Sequence, residues 1–376
     1  MVLKMLNALN KEIEQFLGDK GAIKVGFATL ETLAGGPPST DLTYIFPEAK
    51  SAISYALLFD REKIRDYLAK RDFSGHEDDR AFLNLKSWKI SKALAKKLED
   101  KGFKSKPIFF NNNYRKEVSG WELKMPPDIS HRYIAVRSGV GSFGWSGNVG
   151  IKGIGTTILL GTIVTAAELE PTDPIPLEES FCTRCKICTR VCGANLFDKE
   201  KETKVTIGGI EFSYSLRHGY IRCFYVCGGL AGYKKGRSWS TWSPGRFPIP
   251  DTDKDDADKK IMTNFIRALS KYKKWPKRTD IEGKFKGYEN TALPGYSLRL
   301  TCGLCQNICF GDAKETLKNY EILKNSGCLV QKENGDILIL PADEAQKAYD
   351  ELDKKHKRLY TFPTKRNEIE GPIKTE

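Results

Sequence analysis

The spacing of its cysteines constrains this chain more than any other feature of its sequence. Four of them follow one another as Cys182-x2-Cys185-x2-Cys188-x3-Cys192. This is the spacing of bacterial [4Fe-4S] sites, in which three thiolates bind one cluster and the fourth reaches a second cluster. A proline normally follows the fourth cysteine, and Gly193 stands there instead. Ligation does not need that proline, so the run predicts a pair of iron–sulfur clusters.

A second cysteine run supplies most of the remaining ligands. Cys302-x2-Cys305-x3-Cys309 adds three thiolates to the four of the first run, whereas two [4Fe-4S] clusters need eight. If the last cysteine of each run binds the cluster of the other run, Cys309 binds the first cluster together with the first three cysteines of the first run. Cys192 then joins Cys302 and Cys305, together with one further cysteine.

Two candidates remain for the eighth ligand, Cys223 and Cys227, and we prefer Cys223. Cys328 lies beyond the second run and is expected to be an ordinary buried thiol. The predicted cluster ligands are Cys182, Cys185, Cys188, Cys192, Cys223, Cys302, Cys305 and Cys309. Structural zinc is the alternative, but zinc sites pair short Cys hooks or add histidines, and only His218 lies in this region.

Composition and the N-terminal sequence indicate a compartment in which thiols stay reduced. Ten cysteines in 376 residues are too few for a disulfide scaffold. The N-terminal segment contains acids and no long apolar core, so we expect no export signal. The longest apolar stretch, 153–167, contains several threonines and is shorter than the roughly 18 to 20 residues of a spanning helix. We therefore expect a cytoplasmic protein without a membrane segment.

Helical and extended patterns alternate over roughly the first 170 residues. Strands are predicted at 22–27, 52–57 and 107–110, with buried β structure over 153–167. Helices are predicted at 10–17, 61–70, 129–137, 258–269 and 344–353, and in the segment where Leu83, Ile90, Leu94 and Leu98 share one face before Gly102. We expect a layered domain over 1–175, a cysteine-rich domain over 176–330 with an insertion at about 228–295, and a C-terminal helix and charged tail over 331–376.

One glycine motif is rejected as a nucleotide site. Gly139-x-Gly141-x-x-Gly144 matches the dinucleotide fingerprint in its letters. That fingerprint needs a preceding strand, a following helix and an acidic residue about 20 positions later. Here a predicted helix precedes the glycines, and 159–164 contains no acid. The glycines are expected to make turns or to let the backbone approach a bulky ligand.

Together with the cysteine runs, four segments resemble the corrinoid-dependent iron–sulfur reductases, which include epoxyqueuosine reductase and the reductive dehalogenases. Residues 128–144 resemble the helix-then-glycine signature of that family, and 155–165 resemble the buried strand that leads to the clusters. Residues 23–28 and 46–55 fit its N-terminal strands. The resemblance covers most of residues 10 to 310.

The resemblance implies an α+β fold with a nitroreductase-like, corrinoid-binding domain followed by a ferredoxin-like domain with two [4Fe-4S] clusters. The implied cofactors are these clusters and cobalamin or a related corrinoid, held base-off. No Asp-x-His-x-x-Gly run is present to supply a lower histidine ligand. The residues expected to contact the corrinoid are Ser142, Phe143, Trp145, Ser146, Asn148 and Gly155.

The resemblance leaves the proton donor open among three residues. Gapless alignment puts Met125 where epoxyqueuosine reductase has an acid, and Asp128 follows three residues later. Reductive dehalogenases use a tyrosine near a basic residue, a role for which Tyr114 with Arg115, or Tyr133, is available. The candidate catalytic residues are therefore Asp128, Tyr114 and Tyr133. The alternative role for Asp128 is to cap the N-terminus of the following helix.

The net charge of +13 indicates an acidic partner. Two segments, 233–246 and 271–278, mix cations with aromatic residues. Such surfaces bind RNA by phosphate contact and stacking, or they dock an acidic electron donor such as ferredoxin or flavodoxin. The plain alternative is a basic surface with Trp239 and Trp242 packed inside the insertion.

The leading hypothesis from the sequence is a cytoplasmic reductase. Low-potential electrons would pass through two clusters to a corrinoid that removes halogen or oxygen from a small-molecule substrate. One alternative is a ferredoxin-like electron carrier or reductive activator without a corrinoid. The other is a tRNA epoxyqueuosine reductase, which the missing acid disfavours.

Overall fold

The structure is a computed structural model that describes residues 2–109, 113–272, 274–276 and 300–362. Its helices are α1 (Val2–Asp19), α2 (Leu30–Leu33), α3 (Arg61–Leu68), α4 (Ser74–Glu99), α5 (Trp121–Lys124), α6 (His131–Arg137), α7 (Ile187–Arg190), α8 (Ile221–Cys227), α9 (Ala257–Tyr272), α10 (Leu304–Asn307), α11 (Ala313–Lys324), α12 (Ala342–Glu351) and α13 (Lys354–Tyr360). Its strands are β1 (Lys24–Thr29), β2 (Ser51–Leu58), β3 (Ser105–Ile108), β4 (Ser142–Phe143), β5 (Val149–Gly150), β6 (Ile158–Thr165), β7 (Phe197–Ile207), β8 (Ile210–Arg217), β9 (Cys328–Gln331) and β10 (Ile337–Leu340). The predicted mixed α+β class is confirmed.

A four-stranded antiparallel sheet organises the N-terminal half, in the order β1-β2-β6-β3. Its strands overlap the predicted segments 22–27, 52–57, 153–167 and 107–110, the last residue of which lies outside the described residues. Strand β2 is buried at every position except Leu58. A strand covered on both faces does not alternate between apolar and charged residues, and its sequence, Ser-Ala-Ile-Ser-Tyr-Ala-Leu-Leu, accordingly contains only small or apolar residues and one tyrosine.

Helix α4 packs on β3 and β6 with the face that the sequence predicts. The buried residues of this face include Leu83, Ile90, Leu94 and Leu98. After the helix ends, Gly102 adopts a φ of 88°, a left-handed conformation that glycine takes without a Cβ penalty. The hydroxyl of Tyr55 on β2 donates to the backbone oxygen of Ser87 on α4 at 2.8 Å. This buried bond fixes the helix against the sheet.

The largest hydrophobic core joins this sheet to the cysteine-bearing half of the chain. It contains side chains from Ile13 in α1 to Leu329 in β9. Trp239 and Trp242, which belong to the predicted insertion, are buried in the same core. The indole Nε1 of Trp242 donates to the backbone oxygen of Tyr67 in α3 at 2.9 Å. The insertion therefore packs against α3 and not only within itself, while the predicted boundaries after residues 175 and 330 stay predictions.

The last described residues form a hairpin and two helices. Strands β9 and β10 pair antiparallel, and α12 packs on them. Helix α12 begins and ends within two residues of the helix predicted at 344–353. The charged tail beyond residue 362 lies outside the described residues. Within the part of the chain that the structure describes, no helix is both long and apolar enough to cross a membrane.

A buried lysine makes the stability of this fold depend on pH. Lys70 is 5% exposed, and its Nζ donates to Ser326 Oγ at 2.6 Å. Burial lowers the pKa of Lys70 to about 7, and the nearby Cys328 only partly opposes this. The unfolded chain, in which lysine titrates near roughly 10.4, therefore binds more protons between these two values. The penalty for burying this amine is complete below pH 7 and fades as the pH rises.

We expect Lys70→Met to remove this pH dependence. The variant is predicted to be more stable than the wild type at pH 7, and its advantage should shrink by up to about 1.4 kcal/mol per pH unit as the pH rises toward 10. Urea unfolding of both proteins at pH 7, 8 and 9 measures the difference. A stability difference that is the same at all three values would contradict the assignment.

Candidate iron–sulfur site

The first cysteine run surrounds the short helix α7. This helix carries Cys188, while Cys182 and Cys185 lie in the loop before it. Arg184 and Lys186 in that loop have φ values of 56° and 57°, a left-handed conformation that is uncommon for residues other than glycine. Cys185 is the only exposed cysteine of the ten, all of which the structure describes. The loop thus turns tightly and leaves one thiol at the surface.

The four ligands predicted for the first cluster line one cavity. Cys182, Cys185, Cys188 and Cys309 all contribute to its wall, although Cys309 comes from the second run, and Cys305 contributes as well. The backbone N–H of residue 145 donates to the sulfur of Cys182 at 3.2 Å. Hydrogen bonds to sulfur are a normal means of tuning iron–sulfur centres. The grouping agrees with the expected crossover, and ligation itself stays a prediction.

A second group of cysteines forms around Cys302. Cys227 lies within hydrogen-bonding distance of Cys302, and the Sγ atoms of Cys223 and Cys227 are 3.3 Å apart. Cys223 and Cys227 are one turn apart on α8 and so share a face. Cys192 and Cys305 are close enough to Cys302 for their charges to interact. Of the two candidates for the eighth ligand, Cys227 is the one that touches the second run.

The chemistry of these thiols fits iron–sulfur clusters. Burial raises the pKa of Cys188 to about 11 and that of Cys305 to about 12, and neighbouring cysteines add to both shifts. Metal binding requires thiolates, so clusters would remove these protons. Soft thiolate ligands select iron–sulfur clusters, zinc or copper(I). The backbone N–H of Leu196 donates to Cys192 Sγ at 3.3 Å. Among the described residues, no three Cys, His, Asp or Glu side chains are close enough to hold a single metal ion.

Three of the predicted corrinoid contacts lie in β4 or close after it, and each contacts neighbouring side chains. The ring of Phe143 packs on Tyr214, with centroids 4.8 Å apart. The ring of Trp145 lies under Lys186, whose Nζ is 4.1 Å from the ring centre. Ser142 is half-buried and occupied by a hydrogen bond to another serine hydroxyl at 3.0 Å. Both aromatic rings are buried.

The other three predicted contacts lie around the loop between β4 and β5 and the turn before β6. The backbone oxygen of Ser146 accepts from Arg217 Nε at 2.9 Å. Gly155 has a φ of 72°, and a Cβ there would lie 2.3 Å from the backbone oxygen of Cys309. Asn148 donates from Nδ2 to Cys305 Sγ at 3.6 Å. Of the six residues, Asn148 is the one found in the wall of the adjacent pocket.

This pocket has a volume of about 270 Å³ and opens to the surface. Residues from α4, β3, α6, β5, β6 and α10, with neighbouring loop residues, form its wall: Asn84, Ser87, Trp88, Ile108, Phe109, His131, Arg132, Asn148, Val149, Ile158, Leu159, Leu160 and Gln306. Pockets for drug-sized ligands measure about 300–1,000 Å³. A corrinoid is larger than such ligands, so only part of one would lie between the described walls.

Two polar residues of the pocket wall come from the start of α6. His131 is fully engaged: its Nε2 lies 3.1 Å from the backbone oxygen of Phe109, and its Nδ1 lies 2.8 Å from Thr162 Oγ1. A carbonyl oxygen only accepts hydrogen bonds, so Nε2 of His131 carries the proton. Burial lowers the pKa of His131 and so favours the neutral imidazole. Arg132 donates to the backbone oxygen of Gly147 at 2.6 Å and adds a half-buried cation.

None of the three candidate catalytic residues belongs to the described wall of the pocket. The hydroxyl of Tyr133 is 2.9 Å from that of Tyr214, and burial raises its pKa. Tyr114 forms an isolated bridge with Pro127, and burial raises its pKa as well. Arg115, the basic residue considered beside Tyr114, donates from Nε to Glu117 at 2.6 Å and from Nη1 to the backbone oxygen of Pro38. All three residues stay candidates for the proton donor.

The capping role considered for Asp128 is wrong. Helix α6 begins at His131, two residues later than predicted, and its N-cap is Ser130. The hydroxyl of Ser130 accepts from the backbone N–H of Tyr133 at 3.4 Å. Asp128 is half-buried, and its backbone N–H donates to the backbone oxygen of Asn113 at 3.3 Å.

Arg217, at the end of β8, was missed by the sequence analysis. It donates to the backbone oxygen of Ser146, to Asn148 Oδ1 at 3.0 Å, and to the hydroxyl of Tyr220. Burial alone would raise the pKa of Tyr220, but Arg217 and Arg132 outweigh burial and lower it. Nothing local in the sequence distinguishes Arg217 from other cations, since Ser146 and Asn148 lie about 70 residues away in the chain.

The two basic-aromatic segments pack inward where they are described. In the first, Trp239 and Trp242 are buried, and Arg246 stacks on Tyr349 at 4.3 Å. In the second, Trp275 Nε1 donates to the backbone oxygen of Leu359 at 2.6 Å. Lys273 and residues 277–278 lie outside the described residues. The described tryptophans therefore stabilise the fold and are not free platforms for stacking bases.

Comparison with solved structures finds reductases. An epoxyqueuosine reductase from Streptococcus thermophilus is 18% identical over 53% of this chain and 55% of that chain, with a TM-score of 0.34. An epoxyqueuosine reductase with a modified tRNA stem loop is 17% identical over 61% of this chain and 59% of that chain, with a TM-score of 0.36. A reductive dehalogenase described as B12-dependent is 15% identical over 64% of this chain and 32% of that chain, with a TM-score of 0.40.

These structures come from the two kinds of enzyme that the sequence resembles. The chain spans a little over half the length of these epoxyqueuosine reductases and about a third of the dehalogenase. No protein-family model and no curated protein sequence matches it.

Proposed function

We propose that this protein is an iron–sulfur reductase in which two [4Fe-4S] clusters pass electrons to an acceptor in the pocket beside Asn148. The grouping of the cysteines carries the proposal. Cys182, Cys185, Cys188 and Cys309 would hold the first cluster, and Cys192, Cys227, Cys302 and Cys305 the second. Each group supplies the four thiolates that one cluster needs.

The arrangement of the two groups supports a direction for electron flow. Cys185 is exposed, so a donor protein can approach the first cluster. Cys305 contributes to the wall of the first cavity and lies 3.6 Å from Asn148, which lines the pocket. Electrons would therefore enter through the first cluster and leave from the second. Arg184 and Lys186 flank Cys185, and a donor with an acidic surface, such as ferredoxin or flavodoxin, suits these cations.

The acceptor that the resemblance implies is a base-off corrinoid, which supplies a reduced cobalt able to remove halogen or oxygen from a substrate. The chain's own residues form the wall of the pocket. Ile158 and Leu160 on β6 reduce access of water, and the half-buried guanidinium of Arg132 favours an electron-rich group nearby. Asp128, Tyr114 and Tyr133 remain the candidates for supplying a proton.

Two measurements on anaerobically purified protein test this function. Iron and sulfide should each amount to about eight per chain after reconstitution, as two [4Fe-4S] clusters require. After incubation with cobalamin and gel filtration, the protein should retain corrinoid with a base-off absorption spectrum. Zinc in place of iron would overturn the cluster assignment.

Loss of all corrinoid from a protein that keeps its iron would favour the electron carrier or reductive activator. Binding of tRNA that weakens steeply with salt would favour the tRNA-modifying alternative, because phosphate contacts release counterions.

A further inference from the structure

We infer that Asn148 is a positioning residue that sets the reduction potential of the second cluster, and that Arg217 holds it in the orientation needed for this. The inference rests on the proposed function, because it concerns a cluster that this function requires. Asn148 would then act on Cys305 and would not only be a residue of the pocket wall.

The contacts of Asn148 place it between the pocket and the second cysteine group. It lies just before β5, is half-buried and forms part of the pocket wall. Its amide nitrogen donates to Cys305 Sγ at 3.6 Å. Its amide oxygen accepts from Arg217 Nη2 at 3.0 Å. One side chain thus connects an arginine on β8 to the sulfur of a predicted cluster ligand.

The chemistry of Arg217 determines which way the amide points. A guanidinium has five N–H donors and no acceptor, so the atom of Asn148 that faces it must be the oxygen. The NH₂ group is therefore the part directed at Cys305. Arg217 is itself held in place, since its Nε and Nη2 donate to the backbone oxygen of Ser146 at 2.9 and 2.5 Å. Its Nη1 donates to the hydroxyl of Tyr220.

An N–H donor directed at a ligand sulfur favours the reduced cluster. Reduction adds one negative charge to the cluster and its thiolates, and the positive end of the N–H dipole stabilises that charge. Hydrogen bonds to the sulfurs are among the factors that set the potentials of iron–sulfur clusters. Asn148 should therefore raise the potential of the cluster that Cys305 binds and leave the other cluster unaffected.

The test is a redox titration of the reconstituted protein, followed by electron paramagnetic resonance of both reduced clusters. We expect Asn148→Ala to lower the equilibrium constant for reducing the second cluster by up to about tenfold, which is about 59 mV for one electron. Arg217→Gln should shift the same signal in the same direction by less. The signal of the second cluster is the one that Cys227→Ser should remove, and the first cluster serves as an internal reference.

Asn84→Ala is the matched control, because Asn84 lines the same pocket and its Nδ2 donates to the backbone oxygen of Arg80 in α4 at 2.7 Å. It should leave both potentials unchanged. The double variant Asn148→Ala/Arg217→Gln should match Asn148→Ala alone, because Arg217 acts through Asn148. If Asn148→Ala does not fold, Asn148→Ser and Arg217→Gln carry the same comparison.

Equal potentials in Asn148→Ala and Asn84→Ala, or equal shifts of both clusters, would overturn the inference. Additive effects in the double variant would overturn the part assigned to Arg217. Failure of the proposed function is distinguished beforehand, because the wild-type protein would then lack about eight irons per chain.

Discussion

Cys227→Ser is expected to remove about half of the iron from the reconstituted protein, leaving about four of the eight atoms that two clusters contain. Cys223→Ser is expected to keep close to the full amount. The reason is position: Cys227 lies within hydrogen-bonding distance of Cys302, whereas the sulfur of Cys223 lies 3.3 Å from that of Cys227. Iron and sulfide per chain, measured after anaerobic reconstitution, decide between them.

The control for this pair is Cys328→Ser, which changes a fully buried thiol outside both groups. It should keep all the iron if it folds, and a circular dichroism spectrum checks the fold of each variant. Should Cys223→Ser lose half of the iron while Cys227→Ser keeps it, the preference drawn from the sequence would be right and the one drawn from the contacts wrong.

Gly155→Ala is expected to destabilise the protein by about 3 kcal/mol or more and to release the first cluster, as a severe clash and backbone strain act together. The added Cβ would lie 2.3 Å from the backbone oxygen of Cys309 and 2.3 Å from the backbone nitrogen of Gly311. Backbone atoms cannot move aside as a flexible side chain can, so the second cysteine run would have to shift. Thermal unfolding and the iron content report the two effects.

Gly153→Ala separates strain from clash. Gly153 has a φ of 75°, close to the 72° of Gly155, but no atom lies within 4 Å of a Cβ placed there. Alanine at this position should cost only the left-handed backbone penalty, about 1–2 kcal/mol, with all iron retained. Equal losses in the two variants would show that the approach of Gly155 to Cys309 does not matter.

Much of the fold could be predicted because it depends on local patterns. The strands β1, β2 and β6 and the buried face of α4 follow from runs and periodicities that neighbouring residues share. The grouping expected for the cysteines also came from spacing alone, since the crossover rule brings Cys309 to the first run. The start of α6 was misjudged by two residues, because Ser130 caps it as well as Asp128 would.

The rest of the site depends on contacts between distant segments, which spacing does not encode. Arg217 meets Asn148 across 69 residues, and Trp242 meets Tyr67 across 175. Five of the six expected corrinoid contacts lie outside the pocket wall, and two of these, Trp145 and Ser146, line the cavity of the first cysteine group instead. Only the tertiary arrangement shows that Asn148 lines the pocket and also donates to Cys305.

The packing of Trp242 has a practical consequence for any attempt to move the cluster-binding half of the chain into another protein by itself. Its ring lies 5.9 Å from that of Tyr67 and 5.4 Å from that of Phe73, both in the N-terminal half. Cutting the chain between the halves would expose this aromatic surface on both pieces, and exposed apolar patches of this kind promote aggregation. The two halves of this chain should therefore be moved into another protein together.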